Sequence, residues 1–467
     1  MEQIGHVIRL WKFSCRSSGK SREVDMKNRT ILLLVFMIVL SVSVSAQPTV
    51  SKKQDIAIFA LGYYGWNIPA QALGSIDNEI QKVFADLGRF TIVGVSQRLS
   101  TGGLDQFIDI VKSAKQANFV MPEKFQFGEA FLTEAEFNKL VGSFFVIVPV
   151  ITEFNSFYNM KNLQYETSLK TSITFIDVAS GGSVVAIKFI TTSGTDKSNQ
   201  YKSMSVAIES IASQLEYEIR SIPQFQISTK ILSAKGSKVV FQLGSDMGLK
   251  KGDEYAIIQN DTIEGFDNSR EAGLVVVTDV GPEVSTGEVL YSSIKPSKNT
   301  QLREIPRFGT DLDLYVHNIS GDVPTLLPGL RVAGLRGLFK FKPYMAFQVP
   351  VGLISSYLFW GIIPLDIIPV NVVIGGEYQL IKGRFAFAPY TGVGISYIHV
   401  TTAGVSTDTD FLSHVGVQAF ARLSYLFNRN MKLFVDAGFE EWIAISDFWG
   451  NASYGGISVG AGLTFKL

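Results

Sequence analysis

The chain has 467 residues, with 42 lysines and arginines balanced by 42 aspartates and glutamates. This balance leaves no excess of positive charge, so a nucleic acid is not an expected partner. Charged residues make up only 18% of the sequence and the mean hydropathy is +0.21, which is typical of a membrane component. Only one apolar run, near the N-terminus, approaches the roughly 18 residues of a membrane-spanning helix, which excludes a bundle of such helices.

The N-terminal apolar run has the pattern of a secretory signal peptide. Lys27 and Arg29 precede the run, and small residues follow it, with a predicted cleavage between Ala46 and Gln47. We therefore assign residues 26–46 to a signal peptide, with an uncleaved membrane anchor as the alternative. The mature chain is then expected outside the cytoplasm.

Residues 1–25 are polar and basic, and they form a doubtful N-terminal extension. Translation starts either at Met1 or at Met26. The single cysteine, Cys15, lies in this extension. The mature chain therefore offers no thiol for a disulfide, a nucleophile or a metal site.

Residues 47–222 alternate strand-like and helix-like segments, which predicts an α/β domain. The predicted strands are 55–61, 90–96, 144–154, 169–179 and 183–194, and the predicted helices are 75–88, 103–116, 133–142 and 202–222. Ser180-Gly181-Gly182 joins the last two strands in a hairpin. The last helix has an apolar face made by residues at helical spacing: Val206, Ile208, Ile211, Leu215 and Ile219.

Two sequence features of this domain resemble a known periplasmic α/β module. The first strand ends in "ALGYYG", and the hairpin "SITFIDVASGGSVVAIKF" precedes a long helix rich in Ala and Ile. The same order occurs in the curli secretion channel protein, the N-terminal domain of TolB, lipoprotein activators of penicillin-binding proteins and the flagellar T-ring protein. The resemblance implies a mixed sheet with helices and an envelope assembly or docking role, and it brings no catalytic residue with it.

Residues 223–307 alternate short strands with glycine turns, which predicts a small barrel of five or six strands. The stretch "VVFQLGSDMGLKKGDEYAII" resembles the small C-terminal barrel of the flagellar T-ring protein, with Gly244, Gly248, Gly252 and Asp253 at the corresponding positions. A phosphate-binding loop is the alternative for these glycines. The turn interpretation is favoured, because neither a following helix nor a Gly-Lys-Ser/Thr motif is present.

Residues 308–467 contain eight segments in which apolar residues alternate with small or polar ones. The segments are 310–317, 329–338, 344–353, 370–380, 384–400, 414–427, 432–442 and 455–467. Their even number and length of roughly ten residues predict an antiparallel outer-membrane β-barrel of OmpA-like or OmpX-like size. Predicted connections alternate between short (339–343, 381–383, 428–430) and long (318–328, 354–369, 401–413, 443–453). This alternation puts both barrel ends, and hence residues 47–307, in the periplasm.

Four charged residues fall on the predicted inner face: Glu377, Arg422, Asp436 and Glu440. We interpret them as ion pairs in a plugged lumen, with a gate or an ion path as the alternative. Aromatic residues at strand ends, including Tyr344 and Trp442, are candidates for interfacial girdles. The apolar segment 358–369 either contacts the membrane or a partner, or extends the neighbouring strands.

The closing segment carries a predicted barrel-insertion signal made of Leu463, Phe465 and Leu467. It resembles the C-terminal signal that the barrel insertion machinery reads, although the family signal ends on an aromatic residue and this chain ends on leucine.

Some eight-stranded barrels are enzymes that modify lipid A with a histidine and a serine two residues apart. The candidates here are His399, His414, and His317 with Ser320, and none has this spacing. We interpret His399 and His414 as rim residues near the lipid headgroups. No catalytic residue, cofactor or metal site is predicted.

The sequence therefore predicts a non-enzymatic envelope protein, anchored in the outer membrane, whose periplasmic domains dock or help assemble another component. The expected contacts are outer-membrane lipid, the barrel insertion machinery and an unidentified periplasmic or peptidoglycan-associated partner. The alternatives are a barrel-centred function, either surface adhesion or narrow transport, and an enzyme that modifies lipid A.

Overall fold

The computed structural model describes residues 50–63, 68–98, 101–114, 124–127, 130–133, 135, 138, 145–263, 266–321, 324–351, 365–402, 405–445 and 453–467. Residues 50–467 belong to one compact unit. The predicted extension 1–25 and signal peptide 26–46 lie outside the described residues, and so does most of the predicted helix 133–142.

The first region is an α/β domain with twelve elements. They are β1 (Gln54–Ala60), β2 (Gly62–Tyr63), α1 (Ala70–Asp86), β3 (Phe90–Arg98), α2 (Thr101–Ala114), β4 (Lys124–Phe127), β5 (Ala130–Thr133), β6 (Phe145–Asn159), β7 (Gln164–Asp177), β8 (Ser183–Asp196), α3 (Gln200–Glu209) and α4 (Ile211–Ser221). The main sheet has the order β3-β1-β6-β7-β8, with β2 beside β6 and a separate β4-β5 hairpin. β1 pairs in parallel with β3 and β6, whereas β7 is antiparallel to β6 and β8.

Helices cover both faces of this sheet. Residues of α1, α3 and α4 share one buried apolar cluster with the sheet, including Ile76, Met204 and Leu215. α2 packs on the opposite face through Phe107 and Val111. The sheet is therefore the middle layer of a three-layer arrangement.

The predicted single helix 202–222 is wrong, because the structure divides it at Ser210 into α3 and α4. The side chain of Val206 is 40% exposed, so the predicted continuous apolar face is also wrong there. α3 instead packs through small residues: a Cβ added to Gly194 of β8 would lie 2.1 Å from the backbone oxygen of Ser203. Gly194 therefore permits this close approach of α3 to β8.

The second region is a closed barrel of six strands, here called the small barrel. Its strands are β9 (Ser228–Lys235), β10 (Lys238–Phe241), β11 (Glu254–Ile263), β12 (Phe266–Val280), β13 (Ser285–Ser292) and β14 (Gln301–Ile305), in the order β10-β13-β12-β11-β14-β9. Its core is apolar and includes Ile231, Ile257 and Val275. Gly248 has a positive φ of 74°, and a Cβ there would lie 2.0 Å from the backbone oxygen of Leu87. This glycine therefore permits close contact between the small barrel and the end of α1.

The third region is a closed barrel of eight antiparallel strands, here called the large barrel. Its elements are β15 (Asp311–Ser320), β16 (Thr325–Ala333), β17 (Phe341–Gln348), β18 (Leu365–Tyr378), β19 (Leu380–Lys382), β20 (Phe385–Thr402), β21 (Val405–Asn428), β22 (Met431–Ala444) and β23 (Tyr454–Lys466). The pairs β15–β23 and β18–β20 close it, and β19 is a short continuation of β18 along β20. The predicted fold class, an α/β domain, a small β-barrel and an eight-stranded barrel, is confirmed.

Several predicted strand ends in the large barrel are wrong. β15 extends to Ser320 and β16 spans 325–333 instead of 329–338, so the predicted loop 318–328 is too long, and the turn after β16 covers 334–340. Gly334 and Gly337 have φ values of 93° and 94°, which turn the chain out of the sheet. β17 ends at Gln348 rather than at 353. β18 begins at Leu365, so the last part of the apolar segment 358–369 is strand.

Candidate functional site: the lumen of the large barrel and the domain junction

The outer face of the large barrel is a belt of exposed apolar side chains. Val417 is 53% exposed and Val435 is 55% exposed. The same outward pattern holds for Leu314, Val316, Met345, Phe347, Ile374, Phe387, Val393, Leu423, Phe439 and Val459. In water such a surface is unfavourable, whereas in a bilayer it faces lipid tails.

The inner face carries a network of buried charges centred on Asp313. Arg331 Nε and Arg422 Nη1 both contact Asp313 Oδ2, at 3.1 and 2.5 Å. Arg331 also pairs with Glu377, and Arg422 Nε donates to Asp436 Oδ1 at 2.8 Å. Each arginine therefore bridges two carboxylates on different strands, and Arg422 of β21 reaches across the lumen to Asp313 of β15.

The network continues to His317, which lies between two carboxylates. Its Nε2 is 3.2 Å from Asp436 Oδ2 and its Nδ1 is 3.2 Å from Glu440 Oε1. The Ser458 hydroxyl donates to the same Glu440 oxygen at 2.9 Å. The histidine ring is also packed against Phe420, with ring centroids 4.7 Å apart.

Aromatic rings fill the space beside the guanidinium groups. The Arg331 guanidinium lies 4.5 Å from the ring centroid of Tyr344 and 4.9 Å from that of Tyr390. The Arg422 guanidinium lies 3.6 Å from the ring centroid of Phe434. Over this part of the barrel, the lumen is occupied by interlocked side chains.

One end of the large barrel contacts the small barrel and is called the domain-facing end. Arg429 in its β21–β22 turn pairs with Glu271 at 2.5 Å. The Arg384 guanidinium lies 4.0 Å from the ring centroid of Tyr291. Apolar residues of both barrels also pack together in one cluster there, including Leu274 and Leu426.

A second group of buried charges joins the small barrel to the α/β domain. Glu304 of β14 accepts hydrogen bonds from Arg89 Nη1 at 2.7 Å, from Arg220 Nε at 2.7 Å and from the Ile227 backbone N–H at 3.2 Å. Burial alone would raise the pKa of Glu304, but the charges and hydrogen bonds of Arg89 and Arg220 outweigh it and lower the pKa to about 2. Glu304 is therefore held as a carboxylate at the junction.

The large barrel reaches this junction through Arg336 in its turn 334–340. Arg336 donates to the two oxygens of Asp253 at 2.8 and 2.7 Å and to the Gly248 carbonyl at 3.1 Å. It also pairs with Glu216 of α4. Residues of all three regions thus meet around Asp253, which is also 3.7 Å from Arg220 Nη2.

The structure places the four predicted lumen charges in the large barrel. Glu377, Arg422, Asp436 and Glu440 are all buried. They are connected through Asp313 and Arg331, which the sequence did not mark as lumen charges, and through His317, which was a candidate only for lipid modification. The sequence did contain a signal that Asp313 faces inward, because it lies between Leu312 and Leu314, which face outward. The sequence signal for an inward-facing Arg331 was weaker, because Pro328-Gly329 interrupts the alternation of apolar and polar residues in its strand.

The other predicted site residues, those of the insertion signal and the cleavage site, do not belong to the lumen network. Leu463 and Phe465 are half-buried and Leu467 is exposed. An insertion signal at these residues stays a prediction. The predicted cleavage site, Ala46 and Gln47, lies outside the described residues.

Several aromatic and histidine assignments are wrong. Tyr344 and Trp442 are 5% and 1% exposed and belong to a buried cluster inside the large barrel, so they are not girdle residues. His414 is fully buried, with Nδ1 2.9 Å from Ser413 Oγ, and so it is not a rim residue. His317 is buried in the lumen whereas Ser320 is exposed, which separates this pair. The side chain of His399 lies outside the described part.

Within the described ranges, no group of three or more His, Cys, Asp or Glu side chains could hold a metal ion. Of the helices described, none has the length and apolar character needed to span a membrane.

Comparisons with known proteins give similarities of fold only. No protein-family model matches the sequence, and no curated protein matches it. Among solved structures, Neisserial surface protein A is 12% identical and covers 34% of this chain and 96% of its own, with a TM-score of 0.24. The N-terminal β-barrel domain of Pseudomonas aeruginosa OprF is also 12% identical, covering 34% and 97%, with a TM-score of 0.21. Lipoprotein GNA1162 from Neisseria meningitidis is 10% identical, covering 35% and 97%, with a TM-score of 0.21.

The class of protein follows from the structure itself. Eight antiparallel strands close into a barrel with an apolar exterior and a polar, charged interior, which is the arrangement of an outer-membrane β-barrel. The chain is therefore an envelope barrel protein that carries a small barrel and an α/β domain at one end of its membrane barrel.

Proposed function

We propose that the protein is a non-catalytic anchor in the outer membrane whose α/β domain docks, or helps to assemble, another envelope component. Residues 47–307 would lie in the periplasm, and the partner would be a periplasmic protein or a peptidoglycan-associated component. The observation that carries the proposal is the junction of buried charges around Asp253 and Glu304, which links the α/β domain, the small barrel and the membrane barrel.

Buried ion pairs favour one relative arrangement of the three regions. Moving the α/β domain away would separate Arg89 and Arg220 from Glu304 and would leave buried charges without partners. Such a loss costs about 3 to 5 kcal/mol when one partner of a buried pair is removed. The Tyr217 and Phe308 rings also stack, with centroids 3.9 Å apart. The α/β domain would therefore be presented at a fixed distance from the membrane, as a docking platform requires.

The outer half of the α/β sheet offers a surface for such a partner. β8 is an edge strand in the described sheet. Ile187 and Phe189 on this strand are 52% and 53% exposed, and Phe157 on β6 is 51% exposed. Their side chains lie on the sheet face opposite α3 and α4. Exposed apolar residues beside a free edge are typical of surfaces that bind another polypeptide.

The test is chemical crosslinking in intact cells followed by purification of the tagged full-length protein. The surface variant is Ile187→Lys with Phe189→Lys. The matched control is Leu232→Lys with Phe266→Lys, which replaces two exposed apolar residues of the small barrel. We expect the wild type and the control to yield the same crosslinked component, and the surface variant to lose it at least about tenfold.

Heat-modifiable gel migration must be the same for all three proteins, because it reports the folded membrane barrel. Equal recovery of the component by the surface variant, or no crosslinked component with the wild type, would contradict the docking function.

The barrel-centred and enzymatic alternatives receive less support. Narrow transport needs an open path, and ion pairs through Asp313 cross the described lumen. We expect no conductance steps from the protein in a planar bilayer, and regular steps would favour transport. A lipid-modifying site needs a histidine that reaches lipid, and of the candidate histidines whose side chains are described, His317 and His414 are both buried inside the barrel.

A further inference from the structure

A cleft lies between the small barrel and the domain-facing end of the large barrel. It is open to solvent on one side and is lined by residues of both barrels. It adjoins a smaller cavity in the lumen, with which it shares Asp311, Gln379, Ser424 and Lys432. The cleft is therefore the mouth of the lumen, partly covered by the small barrel.

Cations outnumber carboxylates in this cleft. Lys342 Nζ and Lys432 Nζ both contact the single carboxylate of Asp311, at 2.6 and 2.8 Å. Lys466 and Arg307 likewise share the single carboxylate of Glu254, with Arg307 Nε at 3.2 Å. Each group thus has two cations for one carboxylate.

These charges are largely buried. The side chains of Lys342 and Lys432 are 14% and 15% exposed. Those of Lys466 and Arg307 are 9% and 14% exposed. Burying positive charge in excess is unfavourable unless an anion accompanies it. The two groups therefore form a site that is prepared for an anion.

The deeper lumen has the opposite balance. There two arginines and one histidine, Arg331, Arg422 and His317, face four carboxylates, Asp313, Glu377, Asp436 and Glu440, so carboxylates are in excess even when the histidine is protonated. An anion is therefore attracted to the mouth and repelled from the lumen beyond it. The polarity of the interior favours retention of an anion in the cleft over its passage through the barrel.

The rim of the same cleft is apolar. Leu335, Leu338, Phe385 and Leu467 line the cleft and are 58%, 43%, 55% and 46% exposed. They lie at the domain-facing end of the apolar belt that surrounds the large barrel. A group of buried cations next to an apolar rim at the membrane surface suits an amphiphile with an anionic head and acyl chains.

We propose that this cleft binds an anionic phospholipid of the membrane leaflet next to the small barrel. The lipid phosphate would lie against Lys432 and Lys466, and the acyl chains would leave over the apolar rim toward the bilayer. This inference goes beyond the docking function, because it concerns the membrane side of the small barrel and needs no periplasmic partner.

The test uses full-length protein in a non-ionic detergent, with bound lipid counted by native mass spectrometry. The lipids are dioleoylphosphatidylglycerol and zwitterionic dioleoylphosphatidylcholine. The variant is Lys432→Gln with Lys466→Gln, which removes the two excess charges and leaves Lys342 with Asp311 and Arg307 with Glu254. The control is Lys340→Gln with Lys382→Gln, which removes two exposed cations near the same end of the barrel.

We expect the wild type and the control to bind phosphatidylglycerol at least about tenfold more tightly than phosphatidylcholine, and the variant to lose this preference. Equal binding of the two lipids by the wild type would overturn the proposal, and this comparison does not depend on the variant's folding. A folded variant that retains the preference would overturn it as well.

A third arm distinguishes a lipid from a free anion. The midpoint of thermal unfolding is measured with inorganic phosphate and with phosphatidylglycerol at the same phosphate concentration. A larger increase with the lipid, absent in the Lys432→Gln, Lys466→Gln variant, supports the proposal. An equal increase with inorganic phosphate would assign the cleft to a small anion and overturn the lipid assignment.

Discussion

The two closed barrels of this chain have opposite insides. The small barrel has an apolar centre, in which Ile257 and Leu302 are fully buried. The large barrel buries Asp313 and Arg331 at its centre and exposes Val417 and other apolar side chains outside. Both are built from antiparallel strands with a side-chain period of two. The surrounding solvent, rather than the strand pattern, therefore decides which face of a closed sheet turns inward.

The difference also changes what holds each barrel together. The small barrel is stabilised by the removal of apolar side chains from water. The exterior of the large barrel gains much less from this effect, because lipid replaces water around it. Its lumen instead contains a network of ion pairs and hydrogen bonds, in which removing one partner leaves others buried and unpaired.

The largest effect is expected when the lumen loses a cation. Arg422→Leu leaves Asp313 and Asp436 with one partner fewer, and we expect the free energy of unfolding to fall by about 3 to 5 kcal/mol. The measurement is urea unfolding in detergent micelles, followed by gel migration. Lys382→Leu, at an exposed position, is the control. Equal stability of the two variants would mean that the network does not support the large barrel.

The next effect tests which solvent surrounds each barrel. Val417→Arg on the large barrel would place a charge in lipid, and we expect a loss of about 2 to 4 kcal/mol in phospholipid vesicles. Val284→Arg on the small barrel, where the valine is 42% exposed, should change stability by less than about 0.5 kcal/mol. Unfolding in vesicles measures both. Similar losses at the two positions would contradict a lipid-facing exterior for the large barrel.

The third prediction concerns Glu304, the buried carboxylate through which the small barrel pairs with the α/β domain. Its pKa is about 2 in the folded protein and near 4.5 when unfolded. Because the folded pKa is lower, its stabilisation is fully present above about pH 4.5 and is lost as the pH falls through 2. The expected contribution at neutral pH is up to about 3 kcal/mol.

The measurement is urea unfolding of the wild type and of Glu304→Gln from pH 7 to pH 2. The difference in stability should narrow as the pH falls below about 4.5. A difference that stays constant over this range would show that the charge of Glu304 is not responsible.

A smaller effect is expected from the large-barrel turn 334–340, which contacts the small barrel and the α/β domain. Arg336→Gln removes the paired hydrogen bonds to Asp253 and the contact with Glu216, and we expect a loss of about 1.5 to 3 kcal/mol. Limited proteolysis should show faster cleavage between the α/β domain and the large barrel. Lys340→Gln in the same turn is the control, and equal cleavage of both variants would argue against a junction held by Arg336.

The alternation of residue types made much of the large barrel predictable. On β21, residues 415–427 alternate between outward apolar and inward residues as expected, and Arg422 is inside. The prediction of Glu377, Asp436 and Glu440 as inward residues has the same basis. The alternation did not predict their partners, because the closed barrel brings together, across its lumen, residues that are far apart in sequence, such as Arg422 of β21 and Asp313 of β15.

The sequence by itself determined the period of each segment, and hence the eight-stranded barrel and four of its lumen charges, Glu377, Arg422, Asp436 and Glu440. Tertiary structure alone decided the break at Ser210, the turn 334–340 and the junction at Glu304. Arg89 and Glu304 are 215 residues apart, and no local propensity records that they meet. The physical reason is that local pattern fixes which face of a strand is apolar, whereas the pairing of buried charges depends on which elements the completed fold brings into contact.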